Sequence, residues 1–288
     1  MDITEAGSVL AYRTGWRAVR YLPENAAYAV FDGVADAATR RGTKGAKRLR
    51  ANLARAAPDA DDTTAQELTR AAMRSYFWYW CDAFRLPDWS AERLDRIDVR
   101  NVATLQDALA QGKGAVGAVP HMGNWDHAGA WLTSTGVRVT TVAERLRPEA
   151  VYQQFLDFRE GLGMTIYPLH GEGDVFARLA KHVRANDFVP LLADRDLTAR
   201  GVPVRFMGEQ ATMPAGPAAL ALRAGAPWIP VSTWYEGEAP HHTLVLQFDV
   251  PITAPTGSGG DRVAARTQAG AEGVDRGIRD NPRDGQVG

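Results

Sequence analysis

A continuous apolar run, Gly114-Ala115-Val116-Gly117-Ala118-Val119-Pro120, leads directly into His121-Met122-Gly123-Asn124-Trp125-Asp126. A run this short, bounded by Gly and Pro and without a polar face, reads as a strand buried on both sides, as in a parallel sheet. Such a strand needs neighbours and covering helices, and 288 residues are enough to supply them. The run delivers a His at its carboxyl end, and Asp126 follows five positions later, where a helix begins around His127 or Ala128. Sheets of this kind place their chemistry at the carboxyl ends of the strands.

The rest of the chain after Asp98 has a matching texture. Helices are expected near Ala103–Ala110, after Asp126, near Ala150–Gly161, at Val175–Ala185 and at Ala215–Ala224. Strands are expected at Val137–Val142, Thr165–Pro168, Phe188–Ala193, Trp228–Trp234 and Thr243–Val250. This order predicts an α/β fold: a mainly parallel central sheet flanked by helices on both faces, with an N-terminal helical region. Three stretches of one domain follow, namely 1–98 (helical), 99–254 (the α/β core) and 255–288 (a loop and a weak helix over Val263–Ile278).

The N-terminal region holds two features of interest. From Gly7 to Tyr21, Val9, Tyr12, Trp16 and Val19 share one helical face while Arg13, Arg17 and Arg20 share another. A basic amphipathic helix can lie in a membrane interface, or it can dock on its own domain with a solvated Arg face. Pro23 then opens a second helix towards Arg40, and Arg40–Ala60 carries further basic residues. Thr64 with Glu67 reads as a capping box for a helix that runs into Tyr76-Phe77-Trp78-Tyr79-Trp80. Consecutive aromatics cover every side of a helix, so they pack in a core or line an acyl-chain groove.

Composition narrows the classes. A formal net charge of -1 argues against nucleic acid as a partner. The single cysteine, Cys81, cannot form an intrachain disulfide, which fits a reducing compartment. The acidic start, Met1-Asp2-Ile3-Thr4-Glu5, does not look like a secretion signal, and no run reaches the roughly 18 apolar residues of a membrane span. The expectation is a soluble or peripheral protein facing the cytoplasm.

Three segments carry potential chemistry. His121 and Asp126 can meet only if Gly123 and Asn124 make a turn, because residues five apart on a regular helix do not face each other. If they met, the carboxylate would orient the imidazole and leave its other nitrogen to take a proton from an alcohol. Asp194-Arg195-Asp196 ends another strand and is either a surface ion-pair cluster or a second carboxylate for His121 beside a phosphate-binding guanidinium. Arg205–Gly216 reads as a loop before a helix. There is no Gly-x-Ser-x-Gly elbow, and Cys81 has no evident activating neighbour.

In this order the segments resemble the bacterial lysophospholipid acyltransferase superfamily. The branch is that of lipid A lauroyl acyltransferases and phosphatidylinositol mannoside acyltransferases, and the likeness is greater to the latter. It rests on His121–Asp126 as the His-four-residues-Asp motif, Ala143-Glu144-Arg145-Leu146 with Arg159, Asp194-Arg195-Asp196-Leu197 and the Phe206–Gly216 loop, and it covers about Tyr12 to Pro251. The resemblance implies transfer of an acyl group, palmitoyl, from acyl-CoA to a mannose hydroxyl of phosphatidylinositol mannosides, at the cytoplasmic face of the cell membrane. It implies a peripheral protein whose partners are acyl-CoA, a glycolipid acceptor and an anionic membrane surface. Acyl-CoA is then a co-substrate, with no resident cofactor and no metal. His121 is implied as the base, with Asp126 in its motif and Asp194 in support. Glu144 and Arg159 are implied in substrate contact, and more loosely Arg200 and Arg223 near the acyl donor. Nearby NH donors would stabilise the oxyanion.

Two departures stand out. Where distant members carry Pro-Glu-Gly this chain has Met213-Pro214-Ala215-Gly216, so no catalytic glutamate transfers to that loop. The segment Asp280–Gly288 lacks an aromatic tail, as a truncated or divergent end would, which puts stability or membrane docking in question. Two other functions fit the same residues: an acyltransferase for another glycolipid or a lysophospholipid, and a non-catalytic membrane-surface protein that uses Arg13, Arg17 and Arg20.

Overall fold

The computed structural model describes residues 14–145, 148–169, 173–196, 201–253 and 259–285. Helical backbone at 14–21 (α1) is followed by α2 (Glu24–Arg40), α3 (Lys44–Ala56) and α4 (Asp62–Arg85). The expected start of α4 at Thr64 is corrected: Asp61 is the cap, its carboxylate accepting the Thr64 NH at 2.7 Å. Asp61 thus satisfies a first-turn NH that has no partner inside the helix. A short α5 (Ala91–Leu94) leads to β1 (Ile97–Arg100), α6 (Ala103–Ala110), β2 (Ala115–Val119), α7 (Trp125–Ser134), β3 (Thr140–Ala143) and α8 (Glu149–Gly161). Then come β4 (Thr165–Pro168), α9 (Val175–Arg184), β5 (Phe188–Leu192), β6 (Val202–Phe206), β7 (Glu209–Met213), α10 (Gly216–Ala224), β8 (Trp228–Glu236), β9 (Thr243–Phe248) and α11 (Gly259–Asp280).

The central sheet has the order β1-β9-β8-β2-β5 and is parallel except between β8 and β9. Those two are joined by a short connection, which only antiparallel neighbours can use. A parallel bridge between Val139 and Phe188 carries the sheet on to the parallel pair β3–β4.

The run that reads as a doubly buried strand is one. In β2, Val116 and Ala118 join Leu179, Leu220 and Val274 of α9, α10 and α11 in one core. On the opposite face, Ala115 and Val119 join Tyr28, Trp78, Leu105 and Leu132 of α2, α4, α6 and α7. Helices α2 and α4 are therefore a layer over one face of the sheet, sharing its core, while Ala56 at the end of α3 joins the core of the other face.

Of the aromatic run, Trp78 and Tyr79 are buried and Tyr76, Phe77 and Trp80 half-buried. Trp78 and Tyr79 pack in the core, and none of the five lines the cavity beside His121. The N-terminal helix docks on the body through Trp16, whose ring lies 4.9 Å from Phe84 and 5.6 Å from Phe155. Arg17 stays exposed and Arg20 pairs with Asp88, while Arg13 lies outside the described residues.

Two readings are corrected. Residues 205–213 are not loop but most of an antiparallel hairpin, β6–β7, reversed at Met207-Gly208, where both φ angles are positive (52° and 79°). Two left-handed residues match the twist of a tight hairpin. The last helix is also longer than Val263–Ile278, because glycines form part of its contact face. A Cβ at Gly270 would lie 2.1 Å from the Trp228 ring, and one at Gly277 2.1 Å from the Ser232 hydroxyl. Among the described residues no helix is long and apolar enough to cross a membrane.

Candidate active site

Strands β2 and β5 are parallel neighbours with Val119 opposite Leu192. Two residues further along each lie His121 and Asp194, so the register itself brings them side by side at the carboxyl edge of the sheet. His121 Nδ1 lies 2.7 Å from Asp194 Oδ1, and the His121 backbone NH donates to Oδ2 at 2.9 Å. The two contacts hold one carboxylate against one residue from both sides. The Asp194 side chain is fully buried and that of His121 is 25% exposed. With Nδ1 engaged, Nε2 is the nitrogen left for a substrate.

The turn expected at Gly123-Asn124 is present. Gly123 has φ 53°, and a Cβ there would lie 2.3 Å from the Thr233 carbonyl oxygen of β8, so a side chain is excluded twice over. The Thr233 hydroxyl donates to the Met122 carbonyl at 2.6 Å. Asn124 caps α7 by accepting the His127 NH at 2.9 Å, and its own amide donates to the buried Asp82 at 3.1 Å.

This turn does not bring Asp126 to the imidazole. Asp126 is buried, and it accepts from Arg159 Nε at 2.7 Å and from the Tyr79 hydroxyl at 2.9 Å. Burial opposes the charge on Arg159, yet the neighbouring Asp126 holds its proton more firmly than usual. Burial and the same carboxylate push the Tyr79 phenol well up, so it remains a neutral donor. The Arg159 guanidinium also stacks 4.4 Å from the Trp125 ring centroid. The i to i+5 spacing thus serves a tie between α7, α8 and α4, and among the described residues the carboxylate in contact with His121 is that of Asp194.

A cavity of about 280 Å³ opens beside this pair. Its lining combines His121, Asp126, Glu144, Arg159 and Thr233 with a larger set of apolar side chains, among them Leu132, Val139, Phe188 and Leu246, each at most 3% exposed. A largely apolar space with a few polar groups suits a ligand that has both a reactive head and an alkyl tail. Glu144 and Arg159 therefore share the site with His121. Arg223 does not: it lies in the last turn of α10, which leads into the amino end of β8, at the opposite edge of the sheet. Arg200 falls outside the described residues. Arg195 is exposed and lines a second cavity, of about 170 Å³, with Asp194, Arg55 and Glu209, while Asp196 accepts the Gly201 NH at 2.7 Å.

Cys81 is buried, and burial pushes its thiol up, which makes it a poor nucleophile. Among the described residues no cluster of His, Cys, Asp and Glu could hold a metal ion. Sequence reasoning missed Tyr79, Thr233 and Asp82. Asn124 was read only as a turn former, although Asn just ahead of a helix with Asp in its first turn is a capping signal.

Residues 1–284 match the sequence profile described as bacterial lipid A biosynthesis acyltransferase. The chain belongs to this acyltransferase family. Within it, the chain is 44% identical over 261 residues to a phosphatidylinositol mannoside acyltransferase of Mycolicibacterium smegmatis, covering 89% of this chain and 85% of the relative. It is 42% identical to proteins of the same name from two strains of Mycobacterium tuberculosis, covering 98% of this chain and 88% of each. The acyltransferase branch that the motifs resemble is thus the one its relatives occupy.

Proposed function

We propose that the protein transfers a palmitoyl group from acyl-CoA to a mannose hydroxyl of a phosphatidylinositol mannoside, with His121 as general base. The observation that carries this reading is the His121–Asp194 pair beside a largely apolar cavity. The relatives named for this acceptor support the choice of lipid.

The acyl chain occupies the apolar interior, which puts the thioester carbonyl beside His121. Nε2 takes the proton of the mannose hydroxyl as its oxygen attacks that carbon, while Asp194 holds the ring through Nδ1. In the tetrahedral intermediate the oxygen carries negative charge. The amino end of α7 begins four residues after His121, and Asn124 takes the NH of His127 on its side chain and that of Ala128 on its carbonyl. The first NH groups of a helix lack partners within it, so those of Trp125 and Asp126 are the donors assigned to the oxyanion. Collapse breaks the C–S bond, and the imidazolium returns the proton to the CoA thiolate. Glu144, an exposed residue of the cavity lining, accepts from sugar hydroxyls in this reading.

Peripheral binding at the cytoplasmic face of an anionic membrane completes the proposal. Tyr21, Leu22, Val30 and Val34 are exposed on α1, α2 and the residues between them, and the α2–α3 corner exposes Arg40, Arg41, Lys44, Lys47 and Arg48. Apolar side chains beside clustered cations suit an anionic lipid surface.

The test is mass spectrometry of lipid products after incubating the protein with palmitoyl-CoA and vesicles holding phosphatidylinositol mannosides, other glycolipids or lysophospholipids. The expected product is a mannoside carrying one additional palmitoyl ester. Acylation confined to another lipid would overturn the choice of acceptor, and vesicle binding without turnover of any acyl-CoA would overturn catalysis.

A further inference from the structure

The loop that carries His121 is held from a place the mechanism does not use: the end of the described chain. Beyond α11, Asn281 leads into a 3₁₀ turn, Pro282–Asp284, closed by the Gly285 NH on the Pro282 carbonyl at 3.3 Å. This turn lies against the residues that follow His121. The Gly123 NH donates to the Asp284 carbonyl at 3.2 Å, and Met122 forms an antiparallel bridge with Gly285. Thr233 grips the Met122 carbonyl from β8. The two residues after His121 are thus clamped between a strand of the sheet and a segment more than 150 positions away in sequence.

The turn is itself anchored. The Ser75 hydroxyl of α4 donates to Asp284 Oδ1, the Arg283 guanidinium donates to the Tyr235 carbonyl of β8, and Arg283 Nε approaches Asp284 Oδ2 at 3.4 Å. Asp284 is 2% exposed, and burial pushes its carboxyl up. A buried carboxyl is costly to keep, and replacing it with an apolar residue would be cheaper unless its bonds serve another end. Asp284 is not among the residues lining the cavity beside His121, and its carbonyl reaches the site through the backbone NH of Gly123.

We propose that the turn Asn281–Gly285 is a positioning element for His121, with Asp284 as the positioning residue that fixes it to α4. The inference rests on the reading of His121 as the base. A base displaced by about 1 Å loses on the order of 10²-fold in rate, because proton transfer and attack need close alignment. The turn Asn281–Gly285 then has a task inside the fold.

The experiment is steady-state acyl transfer by full-length Asp284→Ala, Asp284→Asn and Ser75→Ala proteins, with folding followed by circular dichroism and thermal melting. Asp284→Ala is expected to lower kcat about 10- to 100-fold with KM for acyl-CoA unchanged. Asp284→Asn, which can still accept from Ser75, is expected to recover most of that loss, and Ser75→Ala to lower kcat in the same sense. If Asp284→Ala does not fold, Ser75→Ala carries the same test. A lower melting temperature with kcat intact would overturn the proposal by showing a structural role alone. A raised KM with kcat intact would overturn it in favour of direct substrate contact. Failure of the reading beneath it is separate: a His121→Ala protein would then remain active.

Discussion

Asp194 and Asp126 are both buried carboxylates near the carboxyl end of β2, and their partners give them different work. Asp194 fixes one imidazole nitrogen, so Asp194→Asn can stabilise the wrong tautomer while keeping the shape. A fall in kcat of about 10²- to 10⁴-fold with little change in melting temperature is expected. Asp126 instead neutralises Arg159 among Tyr79 and Trp125. Asp126→Ala leaves a buried guanidinium without its counter-charge and is expected to cost about 3–5 kcal/mol in urea unfolding. Replacing both Asp126 and Arg159 by apolar residues should cost less than the sum of the single changes. If Asp126→Ala left stability intact and cut kcat as deeply as Asp194→Asn, the division of roles would be wrong.

The elements around the site depend on close backbone approach, and Gly123 is the sharpest case. Gly123→Ala forces both a positive φ and a contact with β8 backbone that cannot swing away. It should cost more than about 1 kcal/mol and most of the activity, read by urea unfolding and by turnover. Strands with apolar runs were legible in the sequence: β2 is recognisable in Ala115–Val119, and β5 in Phe188–Leu192. The β6–β7 hairpin was not, although Val202, Val204 and Phe206 alternate, because Gly208, Pro214 and Gly216 suggest a loop. Helix α11 looked weak since Gly270, Gly273 and Gly277 contribute to its packing face, which hydrophobic periodicity does not register. Strand β1 is short and half-exposed, so it lacks either pattern. His121 and Asp194 could be placed at strand ends, but their pairing depends on register, and the contacts of Asp126 with Tyr79 and Arg159 join three separate segments.

At the scale of the whole molecule, the helical layer and the sheet meet in a buried polar knot. Asp82 of α4 accepts from the hydroxyls of Tyr28 and Tyr235 and from the Asn124 amide, which ties α2 and β8 to the cap of α7. Near it His127 is buried with Nε2 2.7 Å from the Leu94 carbonyl oxygen, and burial pushes its pKa down to about 4. The unfolded chain therefore takes up this proton first as pH falls. Its contribution is whole above the ordinary histidine value of about 6.5 and is lost between there and about 4, at up to about 1.4 kcal/mol per pH unit. Melting temperatures from pH 7 to 4 should fall less steeply for His127→Gln than for the native chain, and an unchanged slope would contradict the assignment. The same assembly of layers ends in one imidazole beside one cavity, and the most direct measurement is made there. Acyl transfer from palmitoyl-CoA to phosphatidylinositol mannosides is to be compared between the native protein and a folded His121→Ala protein. A loss of at least about 10²-fold in kcat is expected, and full acyl transfer by His121→Ala would contradict the mechanism.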